Sequence, residues 1–280
     1  MTRKLLPALT AVLTAVSVLA ACSSPAEEPP PEAVIPPPAG LIEDGYLTYG
    51  TAASFPPFES KENGEPVGFD IDMGNKIADY LGLRTRVLDI DFDGLVPALQ
   101  GGRVDIINSA MYINEERAAV VDYVPYMKIG ESLIGNTDKK IAVKELPKDL
   151  SGKTVAVTRG AIGETYMNDF NQQLKAAGLP PMEVMALPNN QDALLAVQSG
   201  RADLFDTSTP GAAHTIAKSG DRFEVVNTFA LDTQIGIAVP KNKPQLKAAM
   251  QQAVQRFIDS GQYDELLTKY NLPTDSKLSQ

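Results

Sequence analysis

The chain reads as an α/β protein of two similar lobes, each a sheet flanked by helices, and three observations predict this. Strand-like and helix-like segments alternate from Tyr46 onward. Leu99-Gln100-Gly101-Gly102-Arg103-Val104-Asp105 reappears as Val197-Gln198-Ser199-Gly200-Arg201-Ala202-Asp203, an offset of 98 residues. A chain of 280 residues with 44 % hydrophobic content can fill one or two full cores.

The elements follow in order. Leu47 to Gly50 is a short strand. Phe69 to Leu81 is a helix, with Asp70 and Asp72 at its start and Ile71, Ile77, Ala78 and Leu81 at helical spacing. Arg84 to Ile90 is a strand, Phe92 to Gln100 a helix capped by Asp91 or Asp93, and Val104 to Ile107 a strand. The second half repeats the plan: strand Lys153 to Val157, helices Ile162 to Ala177 and Gln191 to Gln198, strand Ala202 to Phe205. Gly102 and Gly200 sit just past a helix, where a left-handed cap favours glycine. Leu246, Met250, Ala253 and Phe257 mark an amphipathic helix near the C-terminus. Two such lobes place a cleft between them, the preferred position for a ligand.

Composition excludes several functions. Lys+Arg 25 against Asp+Glu 35 gives a net charge of -10, unsuited to nucleic acid or an anionic membrane surface. A single Cys and a single His exclude an intrachain disulfide, Cys-based zinc and multi-His zinc. His214 has no G-x-S-x-G elbow beside it and reads as structural. No cofactor is expected. The paired acids Asp70/Asp72 and Asp91/Asp93 lack calcium-loop spacing and read as helix-start acids.

The N-terminus is an address. Arg3 and Lys4 precede an apolar stretch, Leu5 to Ala20, too short to span a bilayer, which ends in Leu19-Ala20-Ala21-Cys22. Residues 1–21 read as a lipoprotein signal peptide and Cys22 as the acylated residue, carrying a palmitate-type chain. Residues 22–45 then form a Pro-rich spacer, with seven Pro between positions 23 and 40. The chain is expected to be exported, lipid-anchored and facing the periplasm or cell exterior.

Four motifs then occur in order: Gly50-Thr51-x-x-x-Phe55-Pro56-Pro57-Phe58-Glu59, Gly68-Phe69-Asp70-Ile71-Asp72, Phe92-Asp93-Gly94-Leu95-Val96-Pro97-Ala98-Leu99-Gln100 and Ile113-Asn114-Glu115-Glu116-Arg117. Over residues 46–272 the chain closely resembles the polar amino-acid solute-binding proteins of ABC importers, the class of the glutamine- and histidine-binding proteins. The resemblance implies the two-lobed type 2 periplasmic-binding-protein fold (a Venus flytrap). Lobe 1 would hold residues 46–129 and 235–280, and lobe 2 residues 130–234, with crossings near Ile129 and Ile235. It implies no enzyme activity, and as partners a small amino-acid-like ligand, ABC permease subunits with a cytoplasmic ATPase, and the membrane through the lipid. A monomer is expected.

The resemblance also places ligand contacts. Arg117 falls on the carboxylate-binding arginine, with a surface helix charge as the alternative. The family's Val155-to-Gly160 turn implies ligand contacts at Ala161 and Ile162, or a plain helix start. Ser109 and Ala110 lie in the matching stretch before Arg117. Phe55 and Phe92 fall on aromatics around the ligand side chain, or serve the core, whereas Phe58 is assigned to packing. Two departures stand out. The family's ammonium-holding acids are replaced by Ala52 and Ser208; Asp206, facing the same way as Ser208, either substitutes or is an ordinary strand-end acid. Tyr112 stands where the family carries Thr or Ser. Phe55, Phe92 and Tyr112 with Arg117 then suggest a cation–π cage with a carboxylate clamp, suited to a methylated or delocalised zwitterion such as a betaine or ectoine. The alternative is a carboxylate without a strong cation.

Two other functions share the scaffold. A cyclohexadienyl-dehydratase-like enzyme needs a general acid in the cleft, for which Glu59, Glu164 and Asp206 are the candidates. A ligand-sensing partner of a signalling receptor differs only in what reads the closed form.

Overall fold

In the computed structural model, residues 31–278 are described. The signal segment and Cys22 lie outside them. No helix among the described residues is long and apolar enough to cross a membrane.

The first half opens with β1 (Tyr46–Thr51), a hairpin of β2 (Ser60–Glu62) and β3 (Glu65–Val67), and α1 (Phe69–Tyr80). It continues through β4 (Arg84–Asp89), α2 (Leu95–Gln100), β5 (Ile106–Ile107) and α3 (Glu115–Val120). β6 (Val121–Asn136) leads into the second half, formed by β7 (Thr154–Thr158), α4 (Ile162–Ala176), β8 (Glu183–Leu187), α5 (Asn190–Gln198), β9 (Leu204–Ser208) and α6 (Thr209–Ser219). β10 (Phe223–Pro240) returns to the first half, which α7 (Pro244–Asp259) and α8 (Gln262–Lys269) complete.

Eight strands form one continuous sheet in the order β4-β1-β5-β10-β6-β9-β7-β8. β1 runs parallel to β4 and β5, and β7 parallel to β8 and β9, as the alternating pattern predicts. β6 and β10 lie antiparallel to each other along the middle and join the halves. Their pairing slips between Phe229 and Thr233 and again between Ile235 and Gly236. Ala230, inside the first slip, takes a left-handed φ of 49.

Each half has its own core. In the first, the ring of Phe69 packs 6.4 Å from Phe58, 6.2 Å from Tyr126 and 5.8 Å from Tyr263, joining α1 to β6 and α8. In the second, Val155, Val157, Met167, Leu174 and Leu204 pack together from β7, α4 and β9.

Three expectations are corrected. Phe92 to Gln100 is not one helix: Phe92–Gly94 is a 3-10 turn, and its cap residue Asp91 makes no side-chain cap bond. β5 is only two residues long, because the Asp105 carboxylate instead accepts from the amides of Ile42 and Thr48. The spacer does not run free to residue 45. Val34 and Ile35 donate their amides to the Tyr80 carbonyl, Ile35 and Leu41 pack against the first-half core, and Lys243 bonds the Gly40 carbonyl. The Pro content rules out regular structure here, but not docking of the apolar residues between the prolines.

Candidate functional site

Strand ends and loops from both halves converge on one cavity, part of it open to solvent. From the first half come Ala52 and Phe55 beyond β1, Phe92 before α2, and Ala110 and Tyr112 beyond β5. From the second come Thr158, then Ala161, Ile162 and Gly163 opening α4, and Asp206 and Ser208 ending β9. Glu131 enters from the middle of β6, and Ser54, Asn190 and Thr207 complete the wall.

Local structure fixes these side chains. The Phe55 amide donates to the Glu59 carbonyl at 2.6 Å, and its ring lies 5.5 Å from Phe58. Tyr112 is pinned to β10 on both sides, by Gly236 N donating to Met111 O and Ile113 N to Gln234 O. Its hydroxyl donates to the Gly130 carbonyl at 3.0 Å. Ser208 caps α6 by accepting from the Gly211 amide at 3.0 Å. Ala110 holds a left-handed φ of 39, and its amide donates to Asp70 Oδ2 at 2.6 Å.

That last bond leads into a buried polar floor. Asp70 and Glu59 are fully buried; Tyr126 donates to Asp70, and Ser109 donates to Glu59 at 2.8 Å while accepting the Ala52 amide at 3.0 Å. Burial raises Asp70 to about 7 and lifts Glu59 well above the carboxylate range. Asp70 is therefore more than a helix-start acid: it fixes the strained Ala110 in the cavity wall.

Of the residues expected at the ligand, Phe55, Phe92, Ala110, Tyr112, Ala161, Ile162, Asp206 and Ser208 line the cavity; Ser109 and Arg117 do not. Ser109 lies in the floor. Arg117, in the first turn of α3, donates Nη1 to the Tyr112 carbonyl at 2.9 Å and Nη2 to the Gly160 carbonyl at 2.6 Å, with its guanidinium 5.4 Å from the centre of the Phe92 ring. It bridges the two halves rather than presenting a free clamp. Gly160 is needed at this crossing: at φ +72 it brings the second half so close that a Cβ would stand 2.9 Å from the Asp93 Cβ. Arg159 and Asp93 face each other nearby at 3.9 Å.

The sequence reading missed Glu131. It is 2 % exposed, Asp206 is 5 % exposed, and both face the cavity. Ladder pairing sets Glu131 opposite Ser208 and Leu133 opposite Asp206, which brings the carboxyls within hydrogen-bonding reach of each other. Burial raises Glu131 to about 7 and holds Asp206, which also faces the Glu131 charge, well above the carboxylate range. Glu131 Oε1 and Asp206 Oδ1 have no hydrogen-bond partner among the described residues. The signal was an acid in Gly130-Glu131-Ser132, between the apolar runs of a buried strand. Of the other acids weighed, Glu59 lies beneath the cavity, and Glu164 accepts from the Gly160 amide at 2.7 Å.

Comparison with known proteins accords with this geometry. Residues 47–273 match the family model for bacterial extracellular solute-binding proteins, family 3. The arginine-binding protein ArgT of Corynebacterium glutamicum is 30 % identical over 237 residues, covering 84 % of this chain and 77 % of ArgT. An ancestral arginine-binding protein solved with arginine aligns at 33 % identity and a TM-score of 0.74, over 81 % of this chain and 98 % of that one. An ancestral amino acid-binding protein described as a precursor of cyclohexadienyl dehydratase aligns at 33 % and 0.72, over 81 % and 95 %. With a two-lobed fold, a cavity between the lobes and a family match over most of its length, the chain belongs to the bacterial extracellular solute-binding proteins, family 3.

Proposed function

We propose that this protein is the solute receptor of an ABC importer and captures an amino acid or amino-acid-like zwitterion. The observation that carries the reading is the cavity walled by residues of both halves. Solute enters an open cleft, touches both walls and stabilises the closed form that the permease reads. The hinge is proposed where β6 and β10 slip, near Ile129 and Ile235, with lobe 1 as residues 46–129 and 235–280 and lobe 2 as 130–234. The relatives' printed amino-acid ligands support the solute class. Signal cleavage before Cys22, lipid anchoring, export and a monomeric state belong to the same proposal.

The test is thermal unfolding of the mature chain against standard amino acids, ectoine, betaines and simple carboxylates. A ligand at about 100 times its Kd adds about 2.7 kcal/mol, a few degrees for a chain of this size. A shift with an amino-acid-like solute is expected. No shift with any of them would contradict the reading.

One observation favours an enzyme as the second reading: a buried carboxyl pair lies in the cleft of a chain that resembles a dehydratase precursor. We place the chain among the binding proteins because its curated relatives carry binding-protein names. Product from prephenate or arogenate would reverse this.

A further inference from the structure

We propose that Glu131 and Asp206 together form a cation subsite that selects solutes whose positive nitrogen carries N–H groups (primary ammonium, amidinium or guanidinium) over quaternary ammonium. The inference rests on the receptor reading and specifies its substrate class. Both carboxyls are buried in the cavity wall, and each has one oxygen without a partner. An orphaned buried acceptor is costly and calls for a donor. A protonated nitrogen can supply one N–H to each oxygen. A quaternary nitrogen has none, and would leave both oxygens orphaned while occupying the space beside them.

The rest of the wall fits this assignment. Phe55, Phe92 and Ile162 offer apolar faces to the body of the solute, and among the described residues no basic side chain lines the cavity to compete for the two carboxyls. The Tyr112 hydroxyl stands beside Glu131, so the tyrosine belongs to the carboxyl end of the site rather than to a purely aromatic cage. Amino acids, amines and cyclic amidines such as ectoine therefore fit, and fully methylated betaines do not.

The subsite also works by exchange. The titratable group that faces the pair is Tyr112, and Tyr166 on α4 lies beyond it, facing Tyr112. Burial holds the Tyr112 hydroxyl well above its usual range, so a proton held between Glu131 and Asp206 is what balances them in the empty cleft. When the cationic nitrogen enters, the pair becomes doubly ionised against it and that proton passes to solvent. Binding is thus coupled to release of up to one proton at pH 7, and affinity rises with pH through this range.

The experiment is titration calorimetry on the mature chain at pH 7. The probes are standard amino acids, agmatine and ectoine against glycine betaine and proline betaine, each run in two buffers of different ionisation enthalpy. The expected result is binding confined to N–H cations, with heat that changes between buffers as proton release requires. Glu131→Gln and Asp206→Asn keep the side-chain shapes and should each weaken binding about tenfold or more, with the proton release lost. Melting of the unliganded variants shows that they fold, and the wild-type buffer comparison does not depend on them. A betaine that binds as tightly as its N–H counterpart, a wild-type heat independent of buffer, or variants that bind like wild type would each overturn the subsite and leave the receptor reading intact. No binding by any probe would overturn both.

Discussion

Replacing Gly163 by Ala tests how closely the cleft is built. Gly163 lies in the first turn of α4, directly against Asp206. A Cβ there would overlap Asp206 Oδ2 and stand 2.8 Å from its Cγ, where ordinary contact begins at 3.4 Å. The carboxylate has to swing away, because β9 is held between β6 and β7 and cannot follow. Two effects on stability then oppose each other. Alanine in place of glycine favours a helix by up to about 1 kcal/mol, and the forced rearrangement costs about 1–3 kcal/mol. The net change is small, a few degrees in Tm at most. Binding loses a charge-assisted hydrogen bond of about 1.5–3 kcal/mol, which raises Kd by roughly ten- to over a hundredfold. Calorimetry and thermal melting on the same sample separate the two. A variant with both the Tm and the affinity of wild type would refute the placement of Asp206 at the solute.

Further outcomes follow from the same geometry. Gly68→Ala should destabilise the fold by about 3 kcal/mol or more in urea: Gly68 has φ +135, and a Cβ would overlap the Phe58 carbonyl oxygen and sit 2.6 Å from its carbon. A near-normal urea midpoint would contradict this. Arg117→Ala removes the donor to Gly160 across the cleft, so the free protein should sample open forms more and bind about tenfold more weakly; small-angle scattering without ligand should show a larger radius, and an unchanged radius with unchanged Kd counts against the bridge. The buried acids set a pH dependence. Asp70, raised from 3.8 to about 7, and Glu131, raised from 4.5 to about 7, keep their protons in the folded state after the unfolded chain has lost them. The stability they confer is complete below about pH 4 and is lost as pH rises through 7, a fall of a few kcal/mol. Urea unfolding at pH 5 and pH 8 checks this, and stability rising with pH over that window would be the wrong sign.

How much the sequence revealed depended on the element. Helices with a clean apolar stripe, such as Phe69–Tyr80 and Ile162–Ala176, were legible to within a residue, because one face meets one core. β6 and β10 were not legible as single strands of 16 and 18 residues. β6 is buried on both faces over most of its length, and β10 changes from open to buried, so no period-two pattern survives. In β10, Glu224 to Gln234 is exposed or half-buried and Ile235 to Val239 is buried. The cavity's aromatic wall was readable from motifs and register. Its carboxyl end was not: Glu131 meets Asp206 only through the β6–β9 ladder, a pairing between residues 75 positions apart that no local pattern records. The Arg117 motif is present, but its guanidinium turns to backbone carbonyls, a choice that depends on how near Gly160 comes.

The most direct measurement is a crystal structure of the mature chain with bound solute. The account predicts density between Phe55, Phe92 and Ile162, with a protonated nitrogen about 3 Å from both Glu131 and Asp206. A solute seated elsewhere, or one in the cleft that leaves these two carboxyls without an N–H partner, would contradict it.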